Sequence, residues 1–263
     1  MKLVENLGEF SGRFASWNAN EQLRGYPFVK NVHAPFTPLK RALPLLNLAL
    51  ISSAGAYIDG TDPFDMDSKD GDPNFREIPL VVEAQDLKYA AKGYDPKAVL
   101  EDRNVQIPIE RLVEYRSSAV IGNLNDVWWS LSPWIPNARL VVTEIAPRIV
   151  ERLHRYNVQA ALLIPASRLC HQTLGIIARA IEFSGIPTMT LAVDPDATDL
   201  VRPPRTAYYN GEFGSVAGKP NWPEYQLRIL DEAIRWIESF DQPTSRKLVV
   251  DLESHVEAAR GER

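Results

Sequence analysis

Residues 158–193 read VQAALLIPAS, RLCHQTLGIIARAIEFSG and IPTMTLAV: an unbroken apolar run, an amphipathic stretch, then a second apolar run. An apolar run without polar alternation must be covered on both faces, which parallel strands joined by helical crossovers achieve. The same grammar recurs elsewhere. LNLALISSAGAYI at 46–58 is a third buried run, and AVIGNLN at 119–125 reads as a shorter strand. IPIERLVEYRSS reads as a short helix. TEIAPRIVERLHRYN places Ile145, Ile149 and Leu153 on one helical face, with Thr143 as N-cap and Pro147 in the first turn. PEYQLRILDEAIRWIESF puts Tyr225, Ile229, Ala233, Ile237 and Phe240 on one face. The expected class is α/β, a three-layer sandwich with a mostly parallel central sheet.

The flanks read differently. Residues 1–45, with Pro27, Pro35, Pro38 and Pro44, are expected to form an extended N-terminal arm, packed on the domain or on a second subunit. The α/β domain then spans 46–243, interrupted by a long irregular loop at 58–104, and 244–263 reads as a C-terminal tail helix. At 263 residues the chain can bury a substantial core, and its net charge of −5 argues against nucleic-acid binding. No apolar run approaches the ~20 residues of a membrane span. Residues 1–20 lack the apolar stretch of a signal peptide, so the expectation is a soluble, cytoplasmic protein without membrane partners.

Cys170, the only cysteine, lies where an apolar run hands over to a helix. Ligands of open α/β sheets bind at such carboxyl ends, and a helix N-terminus favours a thiolate. Ser167 is placed to cap the helix or bond the sulfur, and His171 to supply a donor or proton relay. The competing reading is that free cysteine is a common small core residue. SAGAYI offers small residues at a strand end, so a ligand can approach the backbone of Ser53, Ala54 and Gly55, or the glycine serves only the turn. The aspartates of DGTDPFDMDSKDGDP do not follow the EF-hand pattern, and His33, His154 and His255 lack a second ligand at metal spacing, so no metal is expected. Trp128, Trp129 and Trp134 cluster as an interface or a pocket wall, with core packing as the default.

ALLIPASRLCHQTLGIIARAIEFSGIPTMTL resembles the active-site segment of the B-type selenoproteins of glycine, sarcosine and betaine reductases and of D-proline reductase. TPLKRALPLLNLALISSAGAYI, DPFD, GDPNFREIP, NVQIPIERL and RPPRTAYYNGEFG follow in the family's order, so the similarity covers roughly residues 30–240. In that family a strand ends in selenocysteine, two residues intervene, and Cys-His-Gln opens a helix. The selenol attacks the substrate carbon and displaces an amine, and the neighbouring thiol helps resolve the product. Ser167 stands at the selenocysteine position, which leaves Cys170 without an internal redox partner. The resemblance implies a thiol-dependent oxidoreductase or reductive-cleavage enzyme acting on a small organic substrate. Cys170 would serve as its nucleophile or redox thiol, with an external thiol as reductant. The alternative is a non-catalytic binding or assembly subunit that keeps the pocket. Arg76 and Glu77 fall in a matching segment, where Arg76 is placed to clamp a substrate carboxylate or the two to fix a loop. Lys92, where relatives commonly carry histidine, reads as an anion-orienting group or a surface charge. The arm, the tryptophans and the tail point to a homo-oligomer, most simply a dimer.

Overall fold

Leu48, Ala49, Leu50 and Ile51 are all fully buried, yet they divide between two separate clusters. Leu48 and Leu50 join one, Ala49 and Ile51 the other, which is the period of two in a strand covered on both sides. In the computed structural model, which describes residues 2–250, they form β1 (Asn47–Ser52) in the middle of the main sheet. On one side β1 pairs with the short β5 (Asn123–Leu124) and with β6 (Val127–Leu131). On the other it pairs with β7 (Ala160–Ile164), followed outward by β8 (Thr188–Ala192), β9 (Arg205–Tyr208) and β10 (Thr244–Lys247). All these pairings are parallel, and among the described residues of this sheet only β3 (Phe75–Pro79) runs antiparallel, beyond β6 at the edge. A small separate ladder joins β2 (Ala56–Ile58) to β4 (Leu87–Tyr89).

Helices cover both faces, as the apolar runs require. α3 (Ile109–Ser117) and α8 (Pro223–Ser239) pack on the Leu48–Leu50 side. The other side receives α1 (Leu7–Ala15), α4 (Ala138–Leu140), α5 (Ala146–Arg155), α6 (Arg168–Phe183) and α7 (Pro195–Val201). The short α2 (Lys97–Glu101) lies in the connection after β4. The fold is therefore an α/β sandwich with a mostly parallel central sheet. Among the described residues no helix is long and apolar enough to cross a membrane.

Several elements depart from the sequence reading, each for a local reason. The helix expected to begin at Thr143 begins at Ala138, where the Asn137 side chain accepts from the Arg139 N–H. A π-helical turn at Val141–Ile145 carries it into α5. Pro147 lacks an N–H and would crowd a regular turn, and the wide turn before it relieves both demands. The arm is not wholly extended, because Phe10 and Phe14 bury one face of α1. The 58–104 segment is not wholly irregular, since it supplies β3, β4 and α2. AVIGNLN yields only the two residues of β5, and the longer strand is β6 in the tryptophan segment. Trp128, Trp129 and Trp134, by contrast, are core as the default reading has them, each at most 3% exposed. Residues 244–247, expected in a tail helix, form β10 instead, and the expected helix beyond 250, with His255, lies outside the described residues.

The arm is bound to its own domain by buried polar groups of α6. Arg179 donates to the carbonyls of Leu3, His33 and Arg202 at 2.7–2.9 Å. The Glu182 carboxylate accepts from the N–H groups of Thr37 and Thr188 and from Arg205, which also donates to the Thr37 carbonyl. Glu182 and Arg205 side chains are both fully buried. Burial pushes the Glu182 carboxyl up, while Arg205 and the backbone N–H groups pull it down. Removing one member strands the other in a dry interior, so Arg205→Met is expected to cost about 3–5 kcal/mol in urea unfolding. Adding Glu182→Gln to that variant should recover a large part of the loss. Equal losses in the single and double variants would show that the cost is packing, not an uncompensated charge.

Candidate active site at the switch point

After β1 the chain builds β6 on one side and then returns to the other as β7. The carboxyl ends of β1 and β7 therefore diverge in the crevice where open α/β sheets hold ligands. Into this crevice β1 delivers Ser53, Ala54 and Gly55, β6 delivers Ser132 and Pro133, and β7 delivers Ala166 and Ser167. Ser53 closes the crevice by hydrogen bonds. Its N–H donates to the Ile164 carbonyl, and its Oγ accepts from the Ala166 N–H at 3.1 Å. Gly55 is needed for close approach, because a Cβ there would stand 2.6 Å from the Ala90 carbonyl oxygen and 2.8 Å from Pro133 Cδ.

Ser167 is the N-cap of α6, in extended conformation at φ −141° and ψ 173°. Its Oγ accepts from the Cys170 N–H at 3.3 Å and donates to Cys170 Sγ at 3.1 Å. Cys170 is the third residue of the helix and 1% exposed. Its S–H faces two carbonyl oxygens, Pro133 at 3.4 Å and Ser53 at 3.7 Å. The expectation that the helix end lowers this thiol's pKa is not met. Burial pushes it up and outweighs the hydrogen bonds from Ser167 and Ser53. The sulfur sits in its dry crevice as a protonated donor.

His171 faces away from this pair. Its Nδ1 lies 2.7 Å from the Ser167 carbonyl, and its Nε2 accepts from the N–H groups of Val193 and Asp194 at 3.2 and 3.3 Å. Two N–H donors on Nε2 require the neutral ring with the proton on Nδ1. Burial lowers its pKa from 6.5 to about 4. The relay expected of it is replaced by a brace between the start of α6 and the loop after β8. Gln172 braces a third segment, accepting from the Val29 N–H at 2.8 Å and donating to the Tyr26 hydroxyl at 2.6 Å.

The remaining candidates do not converge on the sulfur. Arg76, on edge strand β3, donates to the carbonyls of Asp62 and Pro63 and lies over the Phe64 ring at 4.3 Å. Glu77 pairs instead with Arg152 at 3.2 Å and accepts from Trp129 Nε1. Both fix structure around β3, and they do not pair with each other. Lys92 donates to the Met66 carbonyl at 2.9 Å, lies 3.5 Å from Glu21 and stands over Trp134 at 4.5 Å. Sequence reasoning missed Tyr94, whose hydroxyl donates to the Ala54 carbonyl at 2.6 Å. Burial, and then neighbouring Cys170, raise its phenol above the ordinary value. Beyond Tyr94 lies a cavity of about 510 Å³, walled by Asp95, Tyr209, Phe213, Lys219 and Tyr225 among others. Among the described residues no cluster of His, Cys, Asp and Glu is arranged to hold a metal.

Two outcomes follow. Because the folded chain holds His171 neutral, its contribution to stability is fully present above pH 6.5 and is lost as pH falls from there toward 4. Ring NMR should show one histidine in the Nδ1–H tautomer with a midpoint near 4, and a midpoint at 6 or above would contradict the brace. Ser167→Cys should form a disulfide with Cys170 under mild oxidation, seen as a loss of about two daltons by intact mass, because the two side chains already touch. Thiols that stay free would mean that the loop does not hold this geometry once the serine is replaced.

No protein-family model matches the chain, and no solved structure does. It is 28% identical over 214 residues to D-proline reductase subunit gamma of Acetoanaerobium sticklandii, covering 81% of this chain and 86% of that protein. It is also 28% identical over 170 residues to glycine reductase complex component B subunit gamma of Symbiobacterium thermophilum, covering 62% of this chain but 38% of that longer protein. The segments that carry the resemblance in the sequence include the strand ends and first helical turn that build the crevice. The chain is thus similar to gamma subunits named for D-proline reductase and for glycine reductase component B, which supports the reductase family that the sequence resembles.

Proposed function

We propose that the chain is a thiol-dependent reductase subunit that acts on a small organic substrate through Cys170. The observation that carries this reading is the placement of the Ser167–Cys170 pair at the switch point, in contact through Oγ and Sγ at 3.1 Å. A carbon–nitrogen bond of the substrate would break as the Cys170 thiolate forms a carbon–sulfur bond and the amine leaves. An external dithiol would then attack Sγ, and the released carbon would take a proton. The mixed disulfide would resolve by closure of the dithiol onto itself, which frees Cys170. Two electrons pass from dithiol to substrate, and no internal partner is needed. Ser167 cannot take the selenol's part, because a hydroxyl is a far weaker nucleophile at neutral pH. Its role here is to hold the sulfur. The relatives' names describe subunits of reductases, which supports work within a larger assembly.

A second reading has a specific observation behind it. A thiol that is 1% exposed and raised in pKa by burial suits a binding or assembly subunit that keeps the crevice without its chemistry. The two readings part on Cys170→Ala, assayed with D-proline and with glycine as probes and dithiothreitol as reductant. The catalytic reading expects the wild-type chain, with its partner subunits, to consume one probe. The variant should fall to background while losing no more than about 2 kcal/mol of stability. Unchanged turnover in the variant would remove Cys170 from the chemistry.

A further inference from the structure

Cys170 is shut in by backbone that is itself in contact with solvent. Ser167 is 2% exposed, yet Gly93, which lies directly over it, is exposed. A Cβ on Gly93 would stand 3.3 Å from Ser167 Cβ and 3.5 Å from its Oγ, and the residue has φ +79°. One peptide's thickness therefore separates the Ser167–Cys170 pair from water. A second segment meets the first from the far side. The Gly214 N–H donates to the Ala166 carbonyl at 2.9 Å, and a Cβ there would fall 2.5 Å from the Tyr94 ring. Tyr94 is thus packed between the two segments, with its hydroxyl on the Ala54 carbonyl.

How the 90–95 segment is held matters more than where it lies. Ala90 donates its N–H to the Gly55 carbonyl, but among the described residues no backbone–backbone bond holds residues 91–95. Two side chains secure it instead. Tyr94 makes the bond to Ala54, and Lys92 bonds the Met66 carbonyl, the Glu21 carboxylate and the Trp134 ring. Segments secured by few bonds open locally without global unfolding. What lies beyond is a place to go: Asp95 and Phe213, the neighbours of Tyr94 and Gly214, wall the 510 Å³ cavity.

We propose that residues 91–95 are a lid latched by Lys92 and Tyr94, whose opening joins the Ser167–Cys170 pair to the neighbouring cavity. The proposal rests on reading Cys170 as the reacting thiol, since a packing cysteine has no use for a door. It also removes the tension between a buried thiol and a thiol-dependent reaction. The closed state stores the sulfur protonated and dry, and the open state admits water and substrate.

Alkylation of the full chain by iodoacetamide tests it, because Cys170 is the only thiol. Sγ bonds the reagent's methylene carbon and iodide leaves, so intact mass reads the rate directly. Wild type should label slowly, at a rate nearly independent of urea up to about 1 M, as local opening exposes little surface. Lys92→Met and Tyr94→Phe should each label about tenfold faster, while Glu77→Gln, which loosens a distant ion pair, should not. Tyr94→Phe keeps the ring and so guards against a variant that merely fails to fold. Equal rates in wild type and both latch variants, or rates that follow global unfolding from the first addition of urea, would overturn the lid. Faster labelling without turnover on any probe would leave the lid standing and sink the catalytic reading alone.

Discussion

The first turn of α6 is the constraint on which the rest depends. Three successive side chains leave it in three directions and secure three separate parts of the chain. Cys170 reaches the carboxyl ends of β1 and β6, His171 the loop after β8, and Gln172 the N-terminal arm. Successive helical residues diverge by about 100°, so adjacent residues cannot act on one substrate atom together. The same divergence lets a tripeptide tie a sheet, a loop and an arm at one point. Cys-His-Gln is thus first an assembly device, and only its sulfur faces the crevice.

That arrangement sets the chemistry. A helix N-terminus and a nearby hydroxyl act to stabilise a thiolate, while a dry site walled by carbonyl oxygens acts against it. Here the second influence wins, because both carbonyls accept from the S–H and neither can stabilise a sulfur anion. Ser167, which the resemblance places at the family's selenocysteine position, donates to the sulfur and caps the helix. Under the proposed thiol chemistry, reactivity would depend on admitting water and exchanging those carbonyls for solvent, a change in the loops and not in the site residues.

The β7–α6–β8 unit was legible because burial on both faces leaves a continuous apolar run, and a capping serine marks the helix start. β1 and α8 were legible on the same grounds. β10 was not, since TSRK is a polar strand at an open edge, where little apolar surface is buried. β3 was hidden in an acidic, proline-rich stretch that offers no long alternation, and β6 in a tryptophan cluster whose bulk speaks for burial but not for a strand. At the site, Ser167 and Cys170 could be paired from their spacing, and Ser53 and Gly55 from their strand end. The partners of Arg76, Glu77 and Lys92 are set by contacts across 13 to 75 residues, which local pattern does not encode. Tyr94 escaped notice for the same reason, although the Gly93–Tyr94 step beside Lys92 carried the signal of a tight cover.

The protonation state of Cys170 tests the account most directly, and as the only thiol it gives an unmixed signal. Thiolate absorbance near 240 nm, taken as the difference between wild type and Cys170→Ala across a pH titration, reads it in the native chain. A buried, carbonyl-facing thiol should show no thiolate at neutral pH and a midpoint above the ordinary value of about 8.5. A midpoint at or below neutrality in the folded protein would contradict the closed crevice and restore the thiolate expected of a bare helix N-terminus.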